Sequence, residues 1–320
     1  VKLNACLNLM KFRLTIPIAL FCMLSMDAPA GESMTSCTRS EEPVLQVLGS
    51  GGPIADDGRA SSGYLVWIDG RSQILVDAGG GVFLRFGEAG ARFKELEHIA
   101  ISHFHTDHST DLVALLKSGY FSDRTRPLSI SGPAAGGDYP GMDDYLGRLL
   151  QQDTGAYAYL GGYLNGSAGL IELTPVEVDP KPIETSKVYE NQGTDIEIHA
   201  LGVPHGPVPA LAYRIKIGQQ SIVFSGDQNG NSDAIIDFAR GVDELVMHMP
   251  VPENIGGVGR NLHAPPSVIG KIAAETEAGK LVLSHFMARS LENREENLKQ
   301  IRSRYKGVLV SANDLDCVGF

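Results

Sequence analysis

The chain has 320 residues, 43% hydrophobic and 20% charged, with 37 glycines, 17 prolines and a formal net charge of −11. That balance is globular and excludes a disordered, collagen-like or coiled-coil chain. A chain this acidic is also a poor default binder of nucleic acid, whose phosphates require Lys and Arg.

Residues 1–30 differ from the rest. Lys2, Lys11 and Arg13 precede an apolar run over 14–26, and Ala28-Pro29-Ala30 offers a small-x-small cleavage site. This three-part pattern predicts a secretory signal peptide over 1–30, a mature domain over 31–320, and a periplasmic or secreted protein. The run is too short for a comfortable span, so no membrane span is expected after cleavage. The alternative is an uncleaved N-terminal anchor helix. Residues 1–30 carry three positive charges and one negative, so losing them takes the net charge from −11 to −13. Cys6 and Cys22 leave with this segment; Cys37 and Cys317 remain near the two ends of the mature chain. In an oxidising compartment these two can pair. Two free thiols, or lipidation of Cys37 after Met34-Thr35-Ser36, are the alternatives.

From Pro43 onward short β-rich runs alternate with helical stretches. Segments 44–48, 63–68 and 73–77 read as strands, 97–102 as a buried strand ending at His103, and 111–118 as a helix. Residues 132–190 are rich in Gly, Tyr and Pro, carry no clear helix or strand pattern, and are the expected place for loops that cover a substrate. Tyr157, Tyr159 and Tyr163 there offer an aromatic wall or a subunit contact in a homodimer. Segments 196–201, 210–217 and 221–225 read as strands, the last two a hairpin through Gly218-Gln219-Gln220. Strands follow at 244–248 and 280–284, and helices at 265–278 and 291–305, the first opening with prolines.

The nine histidines carry the chemistry. His103-Phe104-His105-Thr106-Asp107-His108 sets four ligand-type side chains in six residues behind a buried strand. His103 and His105, two apart on extended backbone, point the same way. Imidazole and carboxylate suit zinc or a similar first-row ion. His205, Asp227 and His285 each stand just past the end of a hydrophobic strand, where loops from one sheet edge can build one site.

Together these motifs resemble the metallo-β-lactamase superfamily and, within it, the ribonuclease Z-like and arylsulfatase-like branch. The resemblance spans nearly all of 44–320. It includes Leu48-Gly49-Ser50-Gly51-Gly52-Pro53 with Arg59-Ala60-Ser61-Ser62, Asp77 in Leu75-Val76-Asp77-Ala78-Gly79, the HxHxDH segment, His205, Asp227 and His285. His263-Ala264, the run from Lys280 to Phe286 and Arg289 also look like that branch. The implied fold is an α/β, αββα four-layer sandwich with a dimetal site at one edge of the two sheets. One ion would sit on His103, His105 and His205, the other on Asp107, His108 and His285, with Asp227 bridging. The implied cofactors are two divalent ions, zinc first, with manganese or iron accepted by the same set.

Such a pair shares a bridging hydroxide as nucleophile, and Asp107 can orient it and take its proton. Asp77 is expected to brace a ligand by a hydrogen bond. His263 is a candidate to protonate the leaving group or bind an anionic group, or else a loop histidine. His248 reads as a support to a ligand or as a strand cap. Arg289 reads as an anion clamp or the partner of a carboxylate. His98 and His199 read as structural. The branch usually places Glu directly after the position of His248, and here Met249 stands there.

The expected activity is an exported hydrolase of small-molecule phosphoesters or sulfate esters, of phosphodiesterase or arylsulfatase type. Lactam or lactone hydrolysis is the alternative, as is tRNA 3′-processing. Ribonuclease Z grips tRNA with a protruding arm, often between the motifs matching His205 and Asp227. Only 21 residues separate them here, so nucleic acid is not the expected partner.

Overall fold

Strands flanked by antiparallel neighbours can face another sheet on one side, whereas parallel strands need helical crossovers and become buried on both faces. Both kinds occur here, and their order sets the layers. The computed structural model describes residues 37–40, 42–181 and 184–320, all within one unit, Thr35–Phe320. The expected signal peptide, with Cys6 and Cys22, lies outside the described residues.

Fourteen strands occur among the described residues: β1 (Val44–Gly49), β2 (Gly63–Ile68), β3 (Arg71–Val76), β4 (His98–Ala100), β5 (Leu128–Pro133), β6 (Leu173–Val178), β7 (Ser186–Asn191), β8 (Ile196–His205), β9 (Val208–Ile217), β10 (Gln220–Phe224), β11 (Glu244–His248), β12 (Lys280–Ser284), β13 (Val308–Ser311) and β14 (Cys317–Gly319). They form two seven-stranded sheets, in the orders β14-β1-β2-β3-β4-β5-β6 and β13-β12-β11-β10-β9-β8-β7. In the first, β14 to β3 are antiparallel neighbours and β3 to β6 parallel. In the second, β7 to β10 are antiparallel and β10 to β13 parallel.

The crossovers carry the helices α1 (Val82–Glu88), α2 (Thr106–Ser109), α3 (Leu112–Gly119), α4 (Met142–Leu150), α5 (Ala234–Phe238), α6 (Gly257–Leu262), α7 (Pro266–Glu275), α8 (Ala288–Leu291) and α9 (Arg294–Arg304). Between the sheets pack Leu45, Tyr64, Val66 and Ile74 against Ile198, Tyr213, Ile222 and Phe224. The outer face of the first sheet buries Val82 and Phe86 of α1, Leu112 and Leu116 of α3, and Leu146 of α4. That of the second buries Ile235, Ile269, Ile272 and Ile301. The result is the expected αββα sandwich.

Several boundaries differ from the sequence reading. The strand expected at 97–102 keeps sheet pairing only over His98–Ala100. Past it the Ser102 carbonyl accepts the Leu211 N–H of β9 at 2.9 Å, so the chain bridges the sheets just before His103. β8 runs through to His205 itself, because Pro204 sits opposite Pro209 at the end of a hairpin, where neither ring removes an interior ladder bond. The helix expected over 291–305 is broken between α8 and α9, where Asn293 Nδ2 donates to the Arg289 carbonyl at 2.9 Å, a local side-chain bond that competes with the helix.

Residues 132–190 are not a run of loops: they hold α4, β6, the start of β7 and a 3-10 segment, Ala158–Leu164. Tyr163 is fully buried, its hydroxyl donating to the Leu116 carbonyl at 2.7 Å, so it is core rather than substrate wall. Tyr157 and Tyr159 are exposed, and neither lines the cleft described below. Cys37 and Cys317 are joined in a disulfide with Cα atoms 5.7 Å apart. The sulfur that lipidation of Cys37 would need is spent.

One buried ionisable side chain has no hydrogen-bond partner. Glu244 opens β11 fully buried, and neither carboxylate oxygen is bonded. It shares a strand face with Val246 of the inter-sheet core. Burial pushes its carboxyl up to about 8, with Lys280 opposing and Asp243 adding to the rise. The folded value lies above the unfolded one, so the stability it contributes is complete below about pH 4.5 and lost as pH rises through 8. That cost is on the order of 3 kcal/mol by pH 7. Glu244→Met is therefore expected to be more stable than the parent at pH 8, with the gap closing toward pH 4.5. Thermal melts across that range check it; a gap independent of pH would contradict the neutral buried carboxyl.

Candidate metal centre

The C-terminal ends of β3, β4, β10, β11 and β12 and the last residue of β8 meet at one edge of the sandwich, where crossover loops of parallel strands open a crevice. Each supplies one or more polar side chains. After β3 comes Asp77, held at φ 59°. Its Oδ1 accepts the Ser102 N–H at 2.7 Å, and its Oδ2 accepts the Ser102 hydroxyl at 2.9 Å and His108 Nδ1–H at 2.7 Å. A carboxylate accepts only, so His108 carries a proton on Nδ1 and turns Nε2 inward. Asp77 thus hydrogen-bonds one of the histidines expected to hold metal.

The HxHxDH segment leaves β4 and turns into α2. His103, Asp107 and His108 are buried, and His105 is partly so. His205 Nδ1 donates to the Leu262 carbonyl at 2.8 Å and so also turns Nε2 inward. Asp227 follows the turn Ser225-Gly226. Gly226 has φ 58°, and a Cβ there would lie 2.4 Å from the Leu211 carbonyl oxygen, so only glycine allows this approach. His285 follows β12 at φ 55°, a left-handed conformation that costs a histidine energy and that surrounding structure must hold.

Seven side chains predicted from sequence converge. His103 Nε2 lies 3.0 Å from His105 Nδ1, which is 3.5 Å from His205 Nε2. Asp227 Oδ2 stands 3.9 Å from His103 and 3.7 Å from His205. Beside them, His108 Nε2 and His285 Nε2 are 3.1 Å apart. Asp107 Oδ2 is 3.6 Å from the former and 3.2 Å from the latter. Asp227 reaches this group too, with Oδ2 3.6 Å from His108 and Oδ1 3.5 Å from His285.

Donors about 2.1 Å from one tetrahedral ion sit roughly 3.4 Å apart, which is the spacing within both groups. The donor set therefore fits divalent metal, with Asp227 common to two adjoining clusters.

His248 also comes within 4.8 Å of His108, Asp227 and His285. Both its nitrogens are engaged, however: Nδ1 with Asp227 Oδ1 at 2.7 Å and Nε2 with the Tyr64 hydroxyl at 3.0 Å. It hydrogen-bonds Asp227 and has no lone pair left for an ion, while Asp107 Oδ2 approaches His108 and His285.

The two groups differ in their titration shifts. Burial holds the imidazoles of His103, His105 and His205 below their usual range, hence neutral. Burial also acts to lower His108 and His285, but Asp77 and Asp107 on the first, and Asp227 and Asp107 on the second, push both above it. For Asp227 burial would raise the carboxyl; His285, His263 and His108 outweigh it and hold the group well below the usual range.

The remaining candidates fall into place around these clusters. His263, just after α6, has its Nδ1 buried without a partner, 3.7 Å from Asp227 Oδ2. Burial lowers its imidazole to about 3. Arg289 donates Nε–H to the Pro250 carbonyl at 2.9 Å; among the described residues it forms no ion pair with a carboxylate, and it lines the cleft. Met249, which directly follows His248, is fully buried in the helix-side core of the second sheet. His98 is wedged between the Ser129 and Ser131 hydroxyls, and His199 pairs with Glu197, both structural.

Above the clusters opens a cleft of about 450 Å³. Its apolar wall is Pro53, Phe104, Leu262 and Met287; its polar side includes His105, Asp107, Asp227, His263, His285 and Arg289. Sequence reasoning missed Tyr64, Ser102 and this apolar wall. Ser102, directly before His103, had a positional signal, whereas Tyr64 lies in an ordinary strand pattern.

The two-sheet sandwich with helices outside and the polar edge just described is the metallo-β-lactamase fold. The metallo-β-lactamase fold protein YhfI from Bacillus subtilis superposes with a TM-score of 0.67 at 21% identity, over 87% of this chain and 100% of that one. The family model "Anti-Pycsar protein Apyc1" matches residues 44–134. Ribonuclease Z of Mycobacterium sp. (strain KMS) is 31% identical over 190 residues, which are 57% of this chain and 60% of that protein. This chain thus spans about 60% of the length of the first curated relatives it matches. Ribonuclease Z of Mycobacterium bovis (strain BCG / Pasteur 1173P2) is 26% identical over 284 residues, 85% of this chain and 96% of that one. The chain thus has the metallo-β-lactamase fold, and over most of its length its sequence is similar to that of ribonuclease Z.

Proposed function

We propose that the protein is a dinuclear metal-dependent hydrolase of small anionic esters, phosphoesters first and sulfate esters next. The observation that carries the reading is Asp227, one carboxylate shared between two ligand clusters. His103, His105 and His205 would hold one ion; Asp107, His108 and His285 the other. Zinc suits three imidazoles best, with manganese or iron acceptable. When bound, such a pair lowers the pKa of a water between the ions and polarises the attacked group.

The side chains supply the rest. Asp107, at the lip of the cleft, accepts a proton and orients the attacking water. Arg289 offers its free guanidinium edge to an anionic oxygen. His263, neutral in the free site, presents a ring N–H to the substrate's anionic or leaving-group oxygen. The apolar wall receives an organic arm. Among the described residues Arg289 is the one permanent cation lining the cleft, which suits a small ester carrying little charge.

A second reading, tRNA 3′-processing, has the relatives named ribonuclease Z in its favour. Against it stand the acidic chain and the absence of room for an arm: β9 and β10 turn tightly between His205 and Asp227. We also place the protein in an oxidising compartment, periplasmic or secreted. The pattern over 1–30 and the Cys37–Cys317 disulfide support this.

One metal-loaded preparation assayed on bis-p-nitrophenyl phosphate, p-nitrophenyl sulfate, a lactone, a chromogenic cephalosporin and a pre-tRNA tests the reading. Chelator-sensitive turnover of the first two is expected; turnover confined to pre-tRNA would replace the first reading with the second. His263→Ala is expected to keep full metal content and lose about 10²-fold in kcat. Loss of metal in that variant would make His263 a ligand instead.

A further inference from the structure

The carboxylate shared by both clusters is itself held by a two-step relay from the opposite sheet. Tyr64 lies on β2 of the first sheet, 1% exposed, and its side chain crosses the inter-sheet layer to His248 at the end of β11 in the second. The rings lie near parallel, with centroids 6.0 Å apart and planes 23° apart. The phenol oxygen is 3.0 Å from His248 Nε2, and His248 Nδ1 is 2.7 Å from Asp227 Oδ1.

The proton positions follow from the donors available. The Asp227 carboxylate only accepts, so His248 carries its hydrogen on Nδ1. The Nε2 of a neutral imidazole then has only a lone pair, and the phenol O–H must donate to it. With Oδ1 fixed by His248, Asp227 turns Oδ2 toward His103, His108 and His205, 3.6–3.9 Å away.

We propose that Tyr64 is a positioning residue for the shared carboxylate: its hydroxyl locks the tautomer and ring orientation of His248, and His248 sets the rotation of Asp227 that lets it serve both clusters. Partners of this kind, one bond removed from a ligand, typically change metal affinity 10- to 100-fold when removed. The inference rests on the metal-centre reading above. It adds a residue that contacts neither ion nor substrate and that no motif marks.

The test uses the full chain and reads metal retention rather than turnover. Parent, Tyr64→Phe, His248→Gln and the double variant are loaded with zinc and titrated with a chelator, and released metal is followed. Melts of the metal-free proteins show whether each variant folds. Tyr64→Phe, which removes one oxygen, is expected to fold and to release zinc at roughly 10-fold lower chelator strength. The double variant is expected to release zinc no more readily than His248→Gln alone, since both substitutions break one path. Equal retention by parent and Tyr64→Phe overturns the relay, as does full additivity in the double variant. Failure of Tyr64→Phe to fold without metal also overturns it, because the hydroxyl would then serve the core. A parent that binds no divalent ion overturns the metal-centre reading itself, so the two failures are distinct.

Discussion

Asp227→Ala is expected to abolish nearly all turnover, by about 10³-fold or more, and to reduce bound metal below two ions per chain. The size follows from position. Asp227 is the one residue whose two oxygens reach both clusters, Oδ2 to His103, His205 and His108 and Oδ1 to His285. Removing it also strips His248 Nδ1 of its acceptor inside a buried site, leaving an unsatisfied donor that costs about 1–3 kcal/mol. Asp227→Asn keeps the volume and offers one acceptor oxygen, so an intermediate loss is expected. Steady-state rates and elemental analysis on one preparation decide the matter. A variant with parental activity and metal content would remove the shared carboxylate from the chemistry.

Breaking the Cys37–Cys317 disulfide is expected to have the largest effect on stability. The bond closes a loop with a sequence separation of 280, which in the chain-entropy model is worth about 5 kcal/mol. At about 2–4 °C per kcal/mol for a domain of this size, Tm should fall by roughly 10 °C or more. Melts of the Cys37→Ser/Cys317→Ser protein against the oxidised parent measure it.

The bond also guards the site indirectly. β14 pairs with β1 at only three positions, and three residues before Cys317 stands Asp314. Its oxygens accept the Ser50 N–H at 3.0 Å, the Ser50 hydroxyl at 2.8 Å and the Ala60 N–H at 2.8 Å. Those bonds hold the loop after β1, which carries Pro53 of the cleft wall. An unchanged Tm would mean that sheet pairing alone secures β14.

The ligand chemistry was legible because it lies in local pattern. Four ligand-type residues in six after an apolar strand, and single His or Asp residues at later strand ends, declare themselves without coordinates. The buried parallel strands β11 and β12 were legible for a similar reason. With helices on one face and a sheet on the other they need unbroken apolar runs, and the expected 244–248 and 280–284 coincide with the observed elements.

The region 132–190 was not legible. Its helix and strands are short and interrupted by Gly and Pro, and their partners are distant: β6 pairs with β5 across some forty residues. Pairing, rather than propensity, makes these segments regular.

By itself, then, the sequence determined which residues can bind metal and roughly where each strand ends, since ligand chemistry and hydrophobic runs are written locally. Only the tertiary structure decided how those residues are used. It gave the distances at which Asp227 approaches both clusters, and it engaged both ring nitrogens of His248 in hydrogen bonds. It also showed that Tyr64, from the other sheet, stands behind His248, and that Glu244 is sealed without a partner. Those facts depend on packing two sheets face to face, which brings together side chains as far apart in the chain as Tyr64 and His248, and no pattern along one strand encodes its neighbour across the core.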